Sequence, residues 1–140
     1  MKLYAGMLLL ALALTGCGTP GPVQTYEGPA RPTSDVAVLK GLSAGYRAGF
    51  SSYARREIGL KTEFQQVRSF GQGYPNEIHL LPGTYLVMLH CNDGRGYGFP
   101  AVELAVVGGV TYEIGCRQPI GEARKIEAFL FRRFPTPEKR

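Results

Sequence analysis

The chain has 140 residues, 44% of them hydrophobic, and a formal net charge of +5 at pH 7. About 105 residues follow the Pro/Gly-rich segment near the N-terminus, which is enough for one hydrophobic core and excludes a multidomain enzyme. The basic excess lies mostly in residues 117–140 but contains no block of like charges. It favours a solvated charged rim, with contact to anionic headgroups or polysaccharide as the alternative.

Residues 1–16 have the features of a signal peptide. Lys2 precedes the apolar run Leu3 to Gly16, which is shorter than the roughly 20 residues needed to span a bilayer. A buried N-terminal helix is the alternative, but the glycines and prolines that follow would end such a helix. We therefore expect residues 1–16 to direct export and to be removed, which leaves a charge of +4 because Lys2 is the only charged residue lost.

The signal segment ends in Leu14-Thr15-Gly16-Cys17. These four residues resemble the lipobox of bacterial lipoproteins. The resemblance implies that Cys17 is lipid-modified and becomes the mature N-terminus. Together with Gly18, it implies anchoring at the outer membrane, facing the periplasm. Two or three acyl chains hold a protein stably, at about 0.8 kcal/mol per buried CH₂. Nucleic acid is not an expected partner of an exported chain.

Prolines and glycines fill the segment that follows Cys17. This composition cannot bury enough apolar surface to fold alone, so we expect residues 17–34 to form a flexible tether. At about 3.1 Å per residue, the tether reaches on the order of 50 Å. Within it, Tyr26-Glu27-Gly28-Pro29 opens a stretch that resembles one in small proteobacterial lipoproteins of uncharacterised function. That resemblance implies no particular chemistry.

Short segments rich in Val, Ile, Tyr and Phe, separated by turn residues, fill residues 35–134. This pattern predicts an all-β fold, a small antiparallel β-sandwich of about seven or eight strands. Residues 41–66 are also compatible with a short helix, and residues 135–140 form a basic C-terminal tail. The predicted strands are residues 35–41, 46–53, 62–70, 76–81, 84–91, 99–107, 110–116 and 125–134.

Side-chain alternation along residues 84–91 puts Cys91 and His90 on opposite faces. Both faces are apolar as far as His90, so this strand should be central. Cys91 shares the inward face with Leu89, and Cys116 is in phase with Ile114. Two inward cysteines in an exported chain predict a disulfide, which closes a loop of about 25 residues and stabilises by roughly 3 kcal/mol. Two separate buried thiols are the alternative.

A hairpin is expected around Gly108-Gly109. A three-residue loop over residues 107–109 pairs Leu104 with Tyr112 and keeps one face apolar, as a fixed register requires. A two-residue turn mixes core with solvent positions instead. We therefore expect residues 99–107 to pair with residues 110–116, which sets Glu103 opposite Glu113.

The segment from Leu80 to Ile114 contains Pro82-Gly83-Thr84-Tyr85 followed by a Gly-rich stretch. Its layout is similar to PEGA-like and transthyretin-like sandwich modules, in which a Pro-Gly-x-Tyr turn opens a strand. Cys91 and Cys116 depart from that pattern. The resemblance implies a spacer or binding platform without catalytic residues.

The sequence offers few groups for catalysis. Its histidines are His79 and His90, its aspartates are Asp35 and Asp93, and no serine lies in a G-x-S-x-G motif. His90 and Cys91 point to opposite strand faces, so they cannot easily share a metal ion. We therefore expect no enzymatic activity, no cofactor and no metal site.

The Glu103 and Glu113 pair is the other candidate for acid and base chemistry. A compact sandwich of this size leaves little room for a substrate cleft. We expect both side chains to be solvated on the outer surface.

Aromatic and arginine residues in or near predicted loops form a candidate interaction surface. Core packing is the alternative explanation for the aromatic residues. The predicted function is a lipid-anchored, non-catalytic sandwich that contacts an envelope protein or polysaccharide; the alternative is a small envelope hydrolase or an inhibitor of one. The candidate surface residues are Tyr46, Arg47, Tyr53, Arg55, Tyr74, Arg95 and Tyr97.

Overall fold

A computed structural model describes residues 21–68 and 72–138. These residues form eleven strands in two sheets, without a helix, and confirm the expected β-sandwich. The signal peptide, Cys17 and the last two tail residues lie outside the described residues. The strands are β1 (Val23–Gln24), β2 (Ala37–Gly41), β3 (Ser43–Ala44), β4 (Tyr46–Arg55), β5 (Gln65–Gln66), β6 (Glu77–Leu80), β7 (Gly83–Asn92), β8 (Tyr97–Gly98), β9 (Ala101–Val106), β10 (Val110–Arg117) and β11 (Glu127–Pro135).

The first sheet, sheet A, has the strand order β1-β6-β2-β10-β11. Its β2–β6 and β10–β11 pairs are antiparallel, whereas β1–β6 and β2–β10 are parallel. The sandwich is therefore mixed rather than wholly antiparallel as expected. Parallel neighbours need a long connection, and the whole of sheet B lies in sequence between β2 and β10.

The second sheet, sheet B, is built on the long antiparallel pair of β4 and β7. Short strands β3 and β5 flank β4, while β8 and β9 pair with the other edge of β7. The strand predicted to be central is therefore central. Residues 41–66 hold strands rather than a helix, and within the described part of the predicted 62–70 segment, residues 62–68, only Gln65–Gln66 pair as a strand.

The core lies between the sheets, and β7 contributes its alternate residues to it. Tyr85, Val87, Leu89 and Cys91 are all at most 4% exposed, as their shared phase predicts. Sheet A covers them with Leu39, Tyr112 and Ile114, which are equally buried. Burial of such side chains contributes about 1.5–3 kcal/mol each and holds the two sheets together.

The expected hairpin between residues 99–107 and 110–116 is wrong. β9 pairs with β7 in sheet B, whereas β10 pairs with β2 and β11 in sheet A. The loop at 107–109 crosses between the sheets because Gly109 N–H donates to the carbonyls of Thr33 and Val36. Leu104 and Tyr112 both face the core, but from opposite sheets, so they are not partners in one sheet.

The N-terminal segment also differs from the expected tether. Val23–Gln24 extend sheet A beside β6, and the Thr25 N–H and hydroxyl both donate to the carbonyl of His79. Arg68 Nη2 donates to the carbonyl of Gly21 at 2.9 Å. The sandwich therefore begins before the expected boundary at Asp35, because backbone pairing with β6 holds a segment whose composition alone does not specify a strand.

Candidate functional site

Four rings gather on the outer face of sheet B. Tyr74 stacks on His90 with a centroid separation of 4.3 Å and an interplanar angle of 19°. Phe99 lies 5.2 Å from His90 and 5.9 Å from Tyr74, and Tyr97 lies 5.7 Å from His90. These separations are typical of attractive aromatic contacts. We call Tyr74, His90, Tyr97 and Phe99 the aromatic cluster.

A glycine in β4 makes room for this cluster. Gly49 is the register partner of His90 on the neighbouring strand. A methyl group at position 49 would lie 2.7 Å from Tyr74 Cβ and 2.8 Å from its carbonyl oxygen. The adjacent Phe50 N–H donates to the carbonyl of Pro75 at 2.8 Å, which fixes the segment that carries Tyr74. The missing side chain thus allows the Tyr74 backbone to approach the strand closely.

The outer rings of the cluster are exposed to solvent. Tyr97 is 68% exposed, and Tyr74 and Phe99 are each more than 40% exposed. His90, between them, is half-buried, and its desolvation lowers its pKa below the ordinary value of 6.5. The histidine ring is therefore mainly neutral at pH 7. The cluster presents an uncharged aromatic surface to a partner.

A groove of about 380 Å³ adjoins Tyr74 and His90. Its polar walls include Arg47, Asn76 and Asn92. Arg47 is exposed and makes no ion pair among the described residues. Asn92 Oδ1 accepts the N–H of Gly94 at 2.7 Å, which leaves the amide nitrogen of Asn92 without a partner in the described parts of the chain. The groove thus offers donors beside aromatic faces.

This arrangement is suited to binding. Aromatic faces stack against flat or apolar parts of a ligand, while a guanidinium and amide groups fix its polar edges. Arg47 can pair with a carboxylate or phosphate group through parallel N–H donors. The groove and the rings share Tyr74 and His90, so one ligand can contact both.

The predicted surface residues do not form a single patch. Tyr74 and Tyr97 belong to the aromatic cluster, and Arg47 lies in the adjoining groove. Tyr46 and Arg95 line a second groove, which Tyr97 borders together with residues of the 118–126 loop. Five of the seven predicted surface residues therefore lie at two adjacent grooves, and the other two, Tyr53 and Arg55, lie elsewhere.

Tyr53 and Arg55 lie towards the other end of β4. The Tyr53 hydroxyl is 2.8 Å from the carbonyl of Thr25, and its ring lies 6.3 Å from that of Tyr85. Arg55 lies over the Tyr85 ring and donates to the carbonyl of Pro82. Burial raises the pKa of the Tyr53 hydroxyl above its ordinary value of 10.0. Both side chains are engaged in holding loops against the sandwich.

The predicted disulfide between Cys91 and Cys116 is present, with a Cα separation of 6.1 Å. It connects β7 of sheet B to β10 of sheet A, directly beside His90. Both cysteines are buried, as their phase predicts. The bond fastens the two sheets next to the aromatic cluster.

The acidic pair expected on one surface is separated in the structure. Glu103 lies on sheet B, 3.5 Å from Arg56 Nε, and Glu113 lies on sheet A, where Arg132 Nε donates to it at 2.5 Å. Their expected opposition is wrong because β9 and β10 belong to different sheets. Arg132 also lowers the pKa of Glu113 below its ordinary value of 4.5.

Charged side chains instead form a row across the outer face of sheet A. Glu77, Lys40, Glu113 and Arg132 are successive register partners on β6, β2, β10 and β11. Lys40 Nζ is 3.8 Å from Glu77, and His79 Nε2 is 2.9 Å from the same carboxylate. We call these five residues the charge row. His79 is thus paired to a carboxylate within an alternating set of charges.

His90 and Phe99 belong to the aromatic cluster but are not among the predicted interaction residues. Two signals could have indicated them. His90 falls on the outward face of its strand by alternation, and Gly49 interrupts an otherwise well-filled strand, which marks a close approach of another segment. Neither signal identifies Tyr74 as the approaching residue.

The chain was compared with protein-family models, curated proteins and solved structures, and none of them matches it. Over the described residues, the chain has no helix long and apolar enough to cross a membrane.

Proposed function

We propose that this protein is an outer-membrane lipoprotein, anchored through Cys17, whose sandwich is a non-catalytic binding module for an envelope polysaccharide. The aromatic cluster, with the groove beside it, is the observation that carries the binding part of the proposal. The signal-like segment and the lipobox resemblance support the anchor.

A polysaccharide fits the chemistry of this surface. The rings of Tyr74, Tyr97 and Phe99 are exposed and neutral, so they can stack on the C–H faces of sugar rings. Asn76 and Asn92 can hydrogen-bond hydroxyl groups, and Arg47 can pair with a carboxylate on the chain. An open groove suits an extended polymer better than it suits a small molecule that needs enclosure.

The exposed apolar area supports the same conclusion. Contiguous aromatic side chains that remain exposed on a small folded domain usually mark a place where something binds. The charged side chains of the charge row pair with one another on the opposite face, whereas Arg47 has no ion pair among the described residues. We therefore assign the binding role to the outer face of sheet B.

The binding test uses the exported, lipid-bearing protein in detergent and purified peptidoglycan sacculi, whose strands carry carboxylates. Tyr97→Ala and Tyr74→Ala should each weaken co-sedimentation by about tenfold, since each removes a ring contact. Phe64→Ala is the matched control, because Phe64 is 45% exposed but lies outside the cluster. Equal sedimentation of all three variants would contradict the assigned surface.

The anchor is tested separately. The intact mass of the membrane-extracted protein should correspond to a chain that begins at Cys17 and carries acyl groups. Cys17→Ser should abolish the added mass and move the protein to the soluble periplasmic fraction. An unmodified Cys17 in the wild-type protein would refute the anchor while leaving the binding test intact.

A further inference from the structure

The two ends of the sandwich differ in charge. At one end β4 begins and β7 and β10 finish, and the loops there are residues 93–96 and 118–126. These loops hold three basic residues, Arg95, Arg124 and Lys125, against two acidic ones, and β10 ends beside them at Arg117. Residues 56–64, at the opposite end, hold two of each sign. We call the first of these the basic end.

Two of the basic side chains at this end, Arg95 and Arg124, make no salt bridge in the part of the chain that the structure describes. Both line the same shallow groove, which Asp93 also lines. Lys125 pairs with Glu122 at 3.0 Å, and Arg117 pairs with Glu127. Asp93 partly offsets the charge of Arg95, but neither guanidinium is held in a salt bridge, so both remain available to an anionic surface.

An exposed apolar side chain lies in the same loop as Arg124. Ile120 is 105% exposed and sits at a turn of the 118–126 loop. An isolated exposed isoleucine needs no explanation in itself. With Ile120, the exposed ring of Tyr97 and the arginines, this end has the composition of a surface that inserts into a headgroup region, where apolar and aromatic groups sit below basic ones.

The N-terminal segment enters the sandwich from this end. Because β1 runs parallel to β6, the residues before Val23 approach from the end at which β6 begins, which is the basic end. Gly21 is already bound to Arg68, so only four residue steps separate it from Cys17. At about 3.5 Å per residue, four residues of fully extended chain span at most roughly 14 Å.

We infer that the basic end of the sandwich lies against an anionic membrane surface, with Ile120 in the interface and Arg95 and Arg124 on phospholipid headgroups. This orientation rests on the lipid anchor of the proposed function. It follows from the short connection and the charge of this end, and it leaves the charge-balanced 56–64 loop directed away from the bilayer.

The test takes advantage of the absence of tryptophan from the chain. Ile120→Trp and Ile58→Trp each introduce a single fluorophore at a fully exposed isoleucine, and the two positions lie at opposite ends of the sandwich. Each lipid-bearing variant is reconstituted into vesicles of phosphatidylethanolamine and phosphatidylglycerol with brominated acyl chains. The fluorescence of the Ile120→Trp variant should be quenched at least about twofold more than that of the Ile58→Trp variant.

The charge contribution is measured in the Ile120→Trp background. Arg95→Gln with Arg124→Gln should reduce quenching in the anionic vesicles, and added salt should have the same effect. In phosphatidylcholine vesicles the double substitution should change little. Unaltered quenching in anionic vesicles would overturn the role of the arginines.

The outcomes separate the orientation from the anchor. If both variants float with the vesicles and their fluorescence is quenched equally, the orientation is overturned and the anchor stands. If neither variant floats with the vesicles, both are overturned. Stronger quenching of the Ile58→Trp variant than of the Ile120→Trp variant would show that the opposite end faces the membrane.

Discussion

The outer faces of the two sheets each pack an aromatic residue over a strand glycine, but the side chains around that residue differ. The backbone and Cβ of Tyr74 lie over Gly49 on sheet B, and the ring of Phe129 lies over Gly115 on sheet A. On sheet A the surrounding groups are the ion-paired members of the charge row. On sheet B they are the neutral rings of the aromatic cluster.

This difference indicates which face is available to a partner. A ligand that approaches the charge row must compete with ion pairs already made, such as Arg132 with Glu113. A ligand that approaches the aromatic cluster displaces only water from exposed rings and finds Arg47 unpaired among the described residues. Exposed aromatic area beside an uncommitted charge is the better basis for recognition.

The largest expected effect comes from breaking the bond that joins the two sheets. Cys91→Ala with Cys116→Ala should lower the free energy of unfolding by about 3 kcal/mol in urea denaturation, because the unfolded chain loses a closed loop. Wild-type protein kept reduced should show a similar loss. Both faces should loosen together in hydrogen exchange, since Cys91 adjoins His90 and Cys116 adjoins Gly115. Unchanged stability would contradict this role.

The next effect compares the two glycines directly. Gly49→Ala should cost about 1–3 kcal/mol and weaken binding to sacculi, because the new methyl group meets the backbone of Tyr74, which cannot move alone. At Gly115 the same methyl meets only ring atoms of Phe129 at 3.1 Å and a side-chain methyl of Leu42. Gly115→Ala should therefore cost less than about 1 kcal/mol. Equal losses of stability in the two variants would show that Tyr74 and Phe129 resist displacement to the same extent.

Sequence alternation predicted which residues face the core but not which strands are neighbours. The phase of residues 84–91 placed Cys91 inward and His90 outward, and both assignments agree with the structure. The pairing of residues 99–107 with 110–116 failed, because a Gly-Gly turn looks the same in a hairpin and in a connection between sheets. The hydrogen bonds from Gly109 to Thr33 and Val36 decide between them, and they come from distant sequence.

The sequence predicted some residues of the candidate site but not how the fold brings them together. Tyr74 and Tyr97 were expected at the surface, but nothing local brings residue 74 onto β4 or residue 97 beside His90. The N-terminal segment shows the same limit. Its prolines and glycines predicted a tether, whereas β1 forms because the edge of β6 supplies backbone partners.

The two faces should also respond to pH in different ranges. His90 has a lowered pKa in the folded state, so the unfolded chain binds the proton more readily and stability falls as the pH drops below about 6.5. Glu113 also has a lowered pKa, so its contribution is present above 4.5 and is lost as the pH falls further. In a plot of urea midpoint against pH, His90→Gln should reduce the loss of stability that begins below about pH 6.5. Glu113→Gln should reduce the loss that begins below pH 4.5. These assignments would be refuted if His90→Gln changed only the lower pH range and Glu113→Gln only the higher one.

The smallest effect is expected from the charge row itself. Arg132 is well exposed, so Arg132→Gln should lower the urea midpoint less than Gly115→Ala does, and salt should reduce that change. Arg133→Gln is the matched control, because its side chain has no ion pair among the described residues. Neither substitution should alter binding to sacculi, whereas Arg47→Gln should weaken it without changing stability. A binding loss in Arg132→Gln equal to that in Arg47→Gln would mean that sheet A contributes to recognition.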